Sequence, residues 1–175
     1  MNRLLMGGSA SLLLALSLAS QAGDHLELVF NGVILVANCQ FDQDGSSQKV
    51  SLPSQRLRFF EHNSRTQTTP FTLGLKDCTP ATLGKMVKLT FNSAQTQQVN
   101  GVPMLATTGD TGLVIGLEDS LGQAIILGRE VNAGTISQIG SGGINQFQFG
   151  AYALAPGAVK AGDYSATVTV EASYQ

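Results

Sequence analysis

The sequence predicts an all-β sandwich, and three observations predict it. Apolar and polar residues alternate with a period of two along most of the chain, as they do when successive side chains point to opposite faces of a sheet. Turn-rich pieces recur between these runs: DQDGSS at 42–47, TTGDTG at 107–112, DSLG at 119–122, GSGG at 140–143 and PGAVKAGD at 156–163. No amphipathic segment of ten residues carries a helical period.

Taken in order, strand-length apolar runs fall at 26–37, 69–77, 86–91, 112–118, 124–127, 144–153 and 163–174. Seven short strands with turns between them fit an Ig-like sandwich. The chain lacks Trp, which many such domains use as a core anchor, so Phe71, Phe91, Phe147 and Phe149 are expected to replace it. The 124–127 run AIIL is expected as a strand in its own right, and GSGG as a flexible hairpin rather than a phosphate cradle.

The first 22 residues read as a secretory signal. Met1, Asn2 and Arg3 give a short basic start, Leu4 to Ala19 an apolar stretch, and Ser20-Gln21-Ala22 a small-residue cleavage pattern. The stretch is interrupted by Gly7 and Gly8 and is shorter than the roughly 20 residues a membrane span needs. The mature chain is then expected to start at Gly23, with no membrane span. It keeps nine basic and 12 acidic residues, the basic ones mostly scattered, which argues against nucleic acid as a partner. Arg56, Arg58 and Arg65 sit close together and are expected in a solvated loop.

Cys39 and Cys78 are the only cysteines, and in an exported chain an even count points to a disulfide. Candidate catalytic groups are few. His25 lies in an extended segment and His62 in the polar loop EHNSRTQTT, neither beside an evident nucleophile. Asp42 and Asp44 echo the start of a calcium loop, but Pro53 stands where its twelfth ligand would be. No enzyme, cofactor or metal site is expected.

The two ends of the mature chain pose complementary questions. Residues 163–174 alternate as a half-buried strand that has no following strand to pair with its free side. Residues 23–38 precede the first cysteine and, extended, reach about 50 Å at roughly 3.3 Å per residue, about twice what one sandwich edge takes. The half at 24–31 is therefore expected to serve something outside its own domain, filling a missing-strand groove by β-strand addition. Such a joint is heterologous and propagates into an open filament.

At this point the residues resemble a known family. An N-terminal strand ends in Gly32, seven residues before Cys39, and a V-x-L segment follows at Val50 and Leu52. Next come PFTLGLKDC from Pro70 to Cys78 and the central GLVIGLEDSLGQAI. Gly162 stands fourteenth from the end and Tyr174 next to last. Together these resemble the subunits of chaperone–usher fimbriae, the type 1-like pilins of Gram-negative bacteria, over essentially the whole mature chain. One departure is that Phe149 is followed by Tyr152 at three residues, where the family places an aromatic at four; a local bulge or shifted strand would account for it.

The resemblance implies an incomplete Ig-like β-sandwich lacking its C-terminal strand and completed by a donated one. It implies a signal peptide at 1–22, an N-terminal donor extension at 23–37 and a pilin domain at 38–175. Leu26, Leu28, Phe30, Gly32 and Ile34 become the donor-strand residues. Gly162, Tyr164, Val168, Val170 and Tyr174 mark the groove strand that a chaperone would grip. Cys39–Cys78 becomes a staple between the first two strands. The implied partners are a periplasmic pilus chaperone, an outer-membrane usher and other fimbrial subunits in an open polymer. The chain would be exported through the periplasm to a fimbrium on the cell surface, contributing to adhesion. Its short extension fits a minor or adaptor subunit better than the major shaft pilin. The alternative is a pilin-like domain that itself binds host carbohydrate, although 153 mature residues leave no room for a separate lectin domain.

Overall fold

The computed structural model of the chain describes residues 24–30, 38–43 and 47–175. The signal segment 1–22, Gly23, Gly32 and Ile34 lie outside the described residues, as does Asp44.

Two sheets face each other. One has five strands in the order β3-β1-β11-β5-β9: β3 (Ser47–Ser51), β1 (His25–Phe30), β11 (Ser165–Tyr174), β5 (Met86–Asn92) and β9 (Glu130–Thr135). The other has six, in the order β2-β4-β10-β8-β7-β6: β2 (Gln40–Phe41), β4 (Thr69–Lys76), β10 (Ile144–Leu154), β8 (Val114–Asp119), β7 (Val102–Ala106) and β6 (Thr96–Val99). A four-residue helical turn, α1 (Leu57–Phe60), and a 3-10 turn at Pro80–Thr82 are the helical pieces among the described residues.

The inner faces supply the core by simple alternation. Phe71, Leu73 and Leu75 of β4 meet Phe147, Phe149 and Ala151 of β10, while Val87, Leu89 and Phe91 of β5 meet Val168 and Val170 of β11. The four expected phenylalanines are all buried. Phe149 sits at their centre, its ring 5.9 Å from Phe71 and 5.3 Å, edge-on, from Phe91. Offset and edge-to-face ring pairs of this kind take the place of the missing Trp.

Three expectations are corrected. The described residues hold eleven strands rather than seven: six of the expected runs form strands, and β2, β3, β6, β7 and β9, short or without a clear alternation in the sequence, are added. AIIL at 124–127 is not a strand: it makes a single bridge from Ala124 to Glu118, and Ile125 N–H donates to the Leu117 carbonyl while its side chain fills the core. Its apolar character reflects burial of a loop, which a period-two test does not separate from a strand. Finally, β10 runs unbulged from 149 to its end at Leu154, pairing in unbroken register with β4 from Ile144 to Ala151 and with β8 from Phe149 to Leu154. Tyr152 therefore lies on the outer face, where the absence of a side chain at Gly116 makes its bed: a Cβ there would stand 2.3 Å from the tyrosine ring.

The disulfide joins Cys39 to Cys78. Cys39 immediately precedes β2 and Cys78 follows β4, and these two strands pair, so the bridge staples β2 to β4 and not the first two strands. Chain order explains the difference, since β1 and β3 belong to the other sheet.

Candidate functional site

The C-terminal strand β11 has two sides with different fates. On one side, residues Thr169–Tyr174 pair antiparallel with β5. On the other, Ser165–Val170 pair with β1, in parallel register from His25↔Ser165 to Phe30↔Val170. The side facing β1 beyond Val170 has no strand partner among the described residues. β1 in turn pairs antiparallel with β3, from His25↔Ser51 to Val29↔Ser47. It thus lies in a slot between two strands, bonded on both flanks.

Alternation explains why this segment takes the slot. Leu26 and Leu28 are wholly buried, packed in the same core as Val50, Val168 and Val170, whereas Glu27 and Val29 face partly outward. Burying two leucine side chains this completely contributes on the order of 4 kcal/mol. Asp24 fastens the entry to the strand: its carbonyl accepts from Leu52 N–H at 3.2 Å and its carboxylate from Tyr164 N–H at 3.4 Å. The expectation that 24–31 reaches outside its own domain thus meets a different arrangement in the single chain. Residues 25–30 occupy the slot in cis, because a tethered segment with the right alternation is the nearest occupant.

Connectivity dictates the parallel sense. His25 starts at the end of the sandwich where Ser165, Thr108 and Thr111 gather. The chain must then reach Cys39 at the opposite end, where Cys78, Ile136 and the Tyr174 end of β11 lie. We refer to these as the loop end and the cysteine end.

At the loop end a cavity of about 430 Å³ opens beside the start of β11, lined by Leu57, Phe60, Leu113 and Tyr164 with Gly162 at its rim and Asp24 and Arg56 at its polar edge. Burial pushes the Tyr164 hydroxyl up to about 12, with the Asp24 carboxylate adding to the shift. Tyr174, at the other end of β11, is half-buried against the core opposite Val87, and burial raises its pKa too. Of the residues expected to form the groove strand, the structure puts Tyr164, Val168 and Val170 in the core and Gly162 beside Thr111. It brings Leu26 and Leu28 directly to them; Phe30 is in register with Val170.

A second cluster went unrecognised in the sequence. Arg65 spreads over the Tyr152 ring, 3.6 Å from its centroid, and donates to Glu118 Oε1 and to Thr68 Oγ1, each at 2.6 Å. Thr68 Oγ1 in turn donates to Glu118 Oε2 at 2.7 Å. Its hydrogen bond to Arg65 holds the Glu118 carboxyl below the usual carboxylate range, and Thr68 helps. Arg65 is therefore not a free loop cation but a clamp across β8 and β10. The signal available was the acidic Glu118 inside an otherwise apolar strand, which calls for a partner. Arg56 and Arg58 remain exposed as expected. No group of three or more His, Cys, Asp or Glu residues among the described residues could hold a metal ion, and no described helix is long and apolar enough to cross a membrane.

Comparison with known proteins agrees with this architecture. The family model described as "Fimbrial protein" matches residues 28–175. The fimbrial adapter PapK of Escherichia coli is 27% identical, over 95% of this chain and 98% of its own. The major MR/P fimbria protein of Proteus mirabilis is also 27% identical, over 98% of this chain and 96% of its own. Among solved structures, the P pilus rod subunit PapA superposes with a TM-score of 0.65 at 25% identity, covering 79% of this chain and all of its own. A chain from a chaperone–usher pilus gives 0.64 at 22% identity, covering 99% of this chain, and shows the same fold. A family match running from within β1 to the end of β11, on an all-β sandwich whose last strand is completed by an alternating N-terminal segment, identifies this chain as a member of the fimbrial protein family.

Proposed function

We propose that the protein is an adaptor-type subunit that joins its neighbours by exchanging β1. The observation that carries this is the slot between β3 and β11. It is closed by main-chain pairing and by alternate side chains, Leu26 and Leu28, and it imposes no requirement that these belong to the same chain. Any extended segment with this alternation can replace β1 by strand addition. In the exchanged state Leu26, Leu28, Phe30, Gly32 and Ile34 of one copy line the slot of the next.

The incoming strand is expected to run antiparallel to β11, opposite to β1 in cis. Antiparallel pairs are slightly more stable per residue. The antiparallel sense also brings the incoming linker in at the loop end, clear of the acceptor's own linker, which leaves at the cysteine end. There the cavity between Leu57, Phe60, Leu113 and Tyr164 offers room for one further apolar side chain, and Ile34 is the candidate.

A periplasmic chaperone would hold the same slot before assembly, gripping the chain from Gly162 through β11 to Tyr174, and an outer-membrane usher would be the site of exchange. Support for export comes from the signal-like first 22 residues, and for the adaptor role from the 27% identity to an adapter along nearly its whole length. The test is a mature chain lacking residues 23–31, produced with a chaperone. It is expected to fold, to accept a synthetic peptide of residues 24–35, and not to donate to a neighbour. Polymerisation equal to that of the full chain would show that the donor segment is misassigned.

A further inference from the structure

Among the described residues, five large apolar side chains stand well out in solvent: Leu57, Leu83, Met86, Leu121 and Ile144. Four of them lie at the two ends of the sandwich. Leu83 precedes β5, Met86 opens it and Ile144 starts β10, all at the cysteine end. Backbone bonds tie this end into one surface. Gly84 N–H donates to the Ile136 carbonyl at 2.9 Å and Ile136 N–H to the Lys85 carbonyl at 3.0 Å. Ser137 N–H donates to Asn145 Oδ1 at 2.8 Å, next to Ile144. Leu57, more than two-fifths exposed, projects from α1 at the loop end. Leu121, on the turn after β8, is the exception.

Chain length connects the two ends. Resting on the strand-exchange reading, Ile34 of the donor sits at the acceptor's loop end, and Cys39 of the donor's own sandwich follows five residues later. Five extended residues span at most about 17 Å, which is too short to hold two sandwiches apart. We propose that the cysteine end of each copy, through Leu83, Met86 and Ile144, docks on the loop end of the next, against α1 and the 156–163 loop. The partner is a second copy of this chain, placed by the exchanged strand. The contact covers apolar side chains that a lone domain leaves in water, and it gives the filament a defined angle at each joint instead of a free hinge. An isolated apolar side chain on a surface needs no explanation, but four at the two surfaces that a short tether forces together do.

The experiment uses the full mature chain assembled into polymers, with a benzophenone amino acid at position 83. Illumination is expected to cross-link it to a neighbouring copy's peptide within 53–62 or 156–163. In a second arm, the exposed-site variant L83S/I144S is expected to form the same detergent-resistant ladder of strand-linked polymers. Its filaments should lose their uniform joint angle in electron micrographs. If the ladder forms and position 83 cross-links to no neighbour, or L83S/I144S filaments keep their angle, the end-to-end contact is overturned while strand exchange stands. If the unsubstituted chain forms no strand-linked ladder, the strand-exchange reading fails, and this contact fails with it.

Discussion

Arg65 illustrates how one side chain secures the outer face of a sandwich. Its guanidinium meets the carboxylate of the buried Glu118, a hydroxyl and an aromatic face, so every part of the group has a partner. Arg65→Ala leaves Glu118 with Thr68 alone and is expected to cost on the order of 1 kcal/mol, since the arginine itself is partly in water. The pH dependence has a definite sign. Because the Glu118 pKa is depressed in the folded chain, its contribution is present above the ordinary carboxylate pKa. It is lost as pH falls through the lowered value. Denaturant titrations should therefore show wild type and R65A differing at pH 7 and converging in strong acid. Gly116 lies beneath the same cluster. Gly116→Ala drives a methyl into the Tyr152 ring and should destabilise by about 1–3 kcal/mol. A double-mutant cycle with Y152A should recover much of that, whereas additive effects would show that the ring is not the obstacle. Tyr164 supplies a test at the other extreme of pH. Its folded pKa of about 12 lies above the unfolded value near 10, so the stability it carries is complete below pH 10 and lost as pH rises toward 12. Y164F should retain on the order of 2 kcal/mol that wild type loses over that window, as read by urea unfolding at several alkaline pH values.

Among the elements, β4, β5, β10 and β11 were legible because they are long and alternate, and β8 because it is a short apolar run bounded by turns. Those that escaped are mostly edge strands: β2, β3, β6 and β9 each end a sheet. β6 is TQQV and β9 is EVNAGT, short and polar in the way edges are kept from pairing with strangers. β7 carries Pro103, which also conceals a strand from a pattern search. The disulfide was legible as a pair but not in what it joins, because sequence order does not say which sheet a strand enters. It closes a separation of 39 residues, for which the chain-entropy model gives roughly 4 kcal/mol. Reduction, or C39A/C78A, is expected to lower the unfolding free energy by about 2–5 kcal/mol. Free thiols in the mature exported protein would refute the bridge. Leu28→Ala, at a fully buried position of β1, should cost about 2–5 kcal/mol in the monomer. A negligible cost would mean that β1 is not seated against β11.

For the whole molecule, the consequence of an occupied slot is kinetic. A tethered β1 competes with any incoming strand at a high effective concentration, so a peptide of residues 24–35 should bind the full mature chain far more slowly than a chain lacking 23–31. Equal rates, measured by fluorescence of a labelled peptide, would mean that β1 does not occupy the slot in solution. The sequence by itself determined the sandwich, the cysteine pair and the alternating apolar segment ahead of Cys39. These follow from period, spacing and composition, which are properties of neighbours along the chain. Only the tertiary structure decided that β1 closes the slot in parallel, that Arg65 clamps Glu118 over Tyr152, and that the exposed apolar residues gather at opposite ends. Each depends on which distant segments a fold makes adjacent and on where the chain must travel next, and no local pattern carries that information.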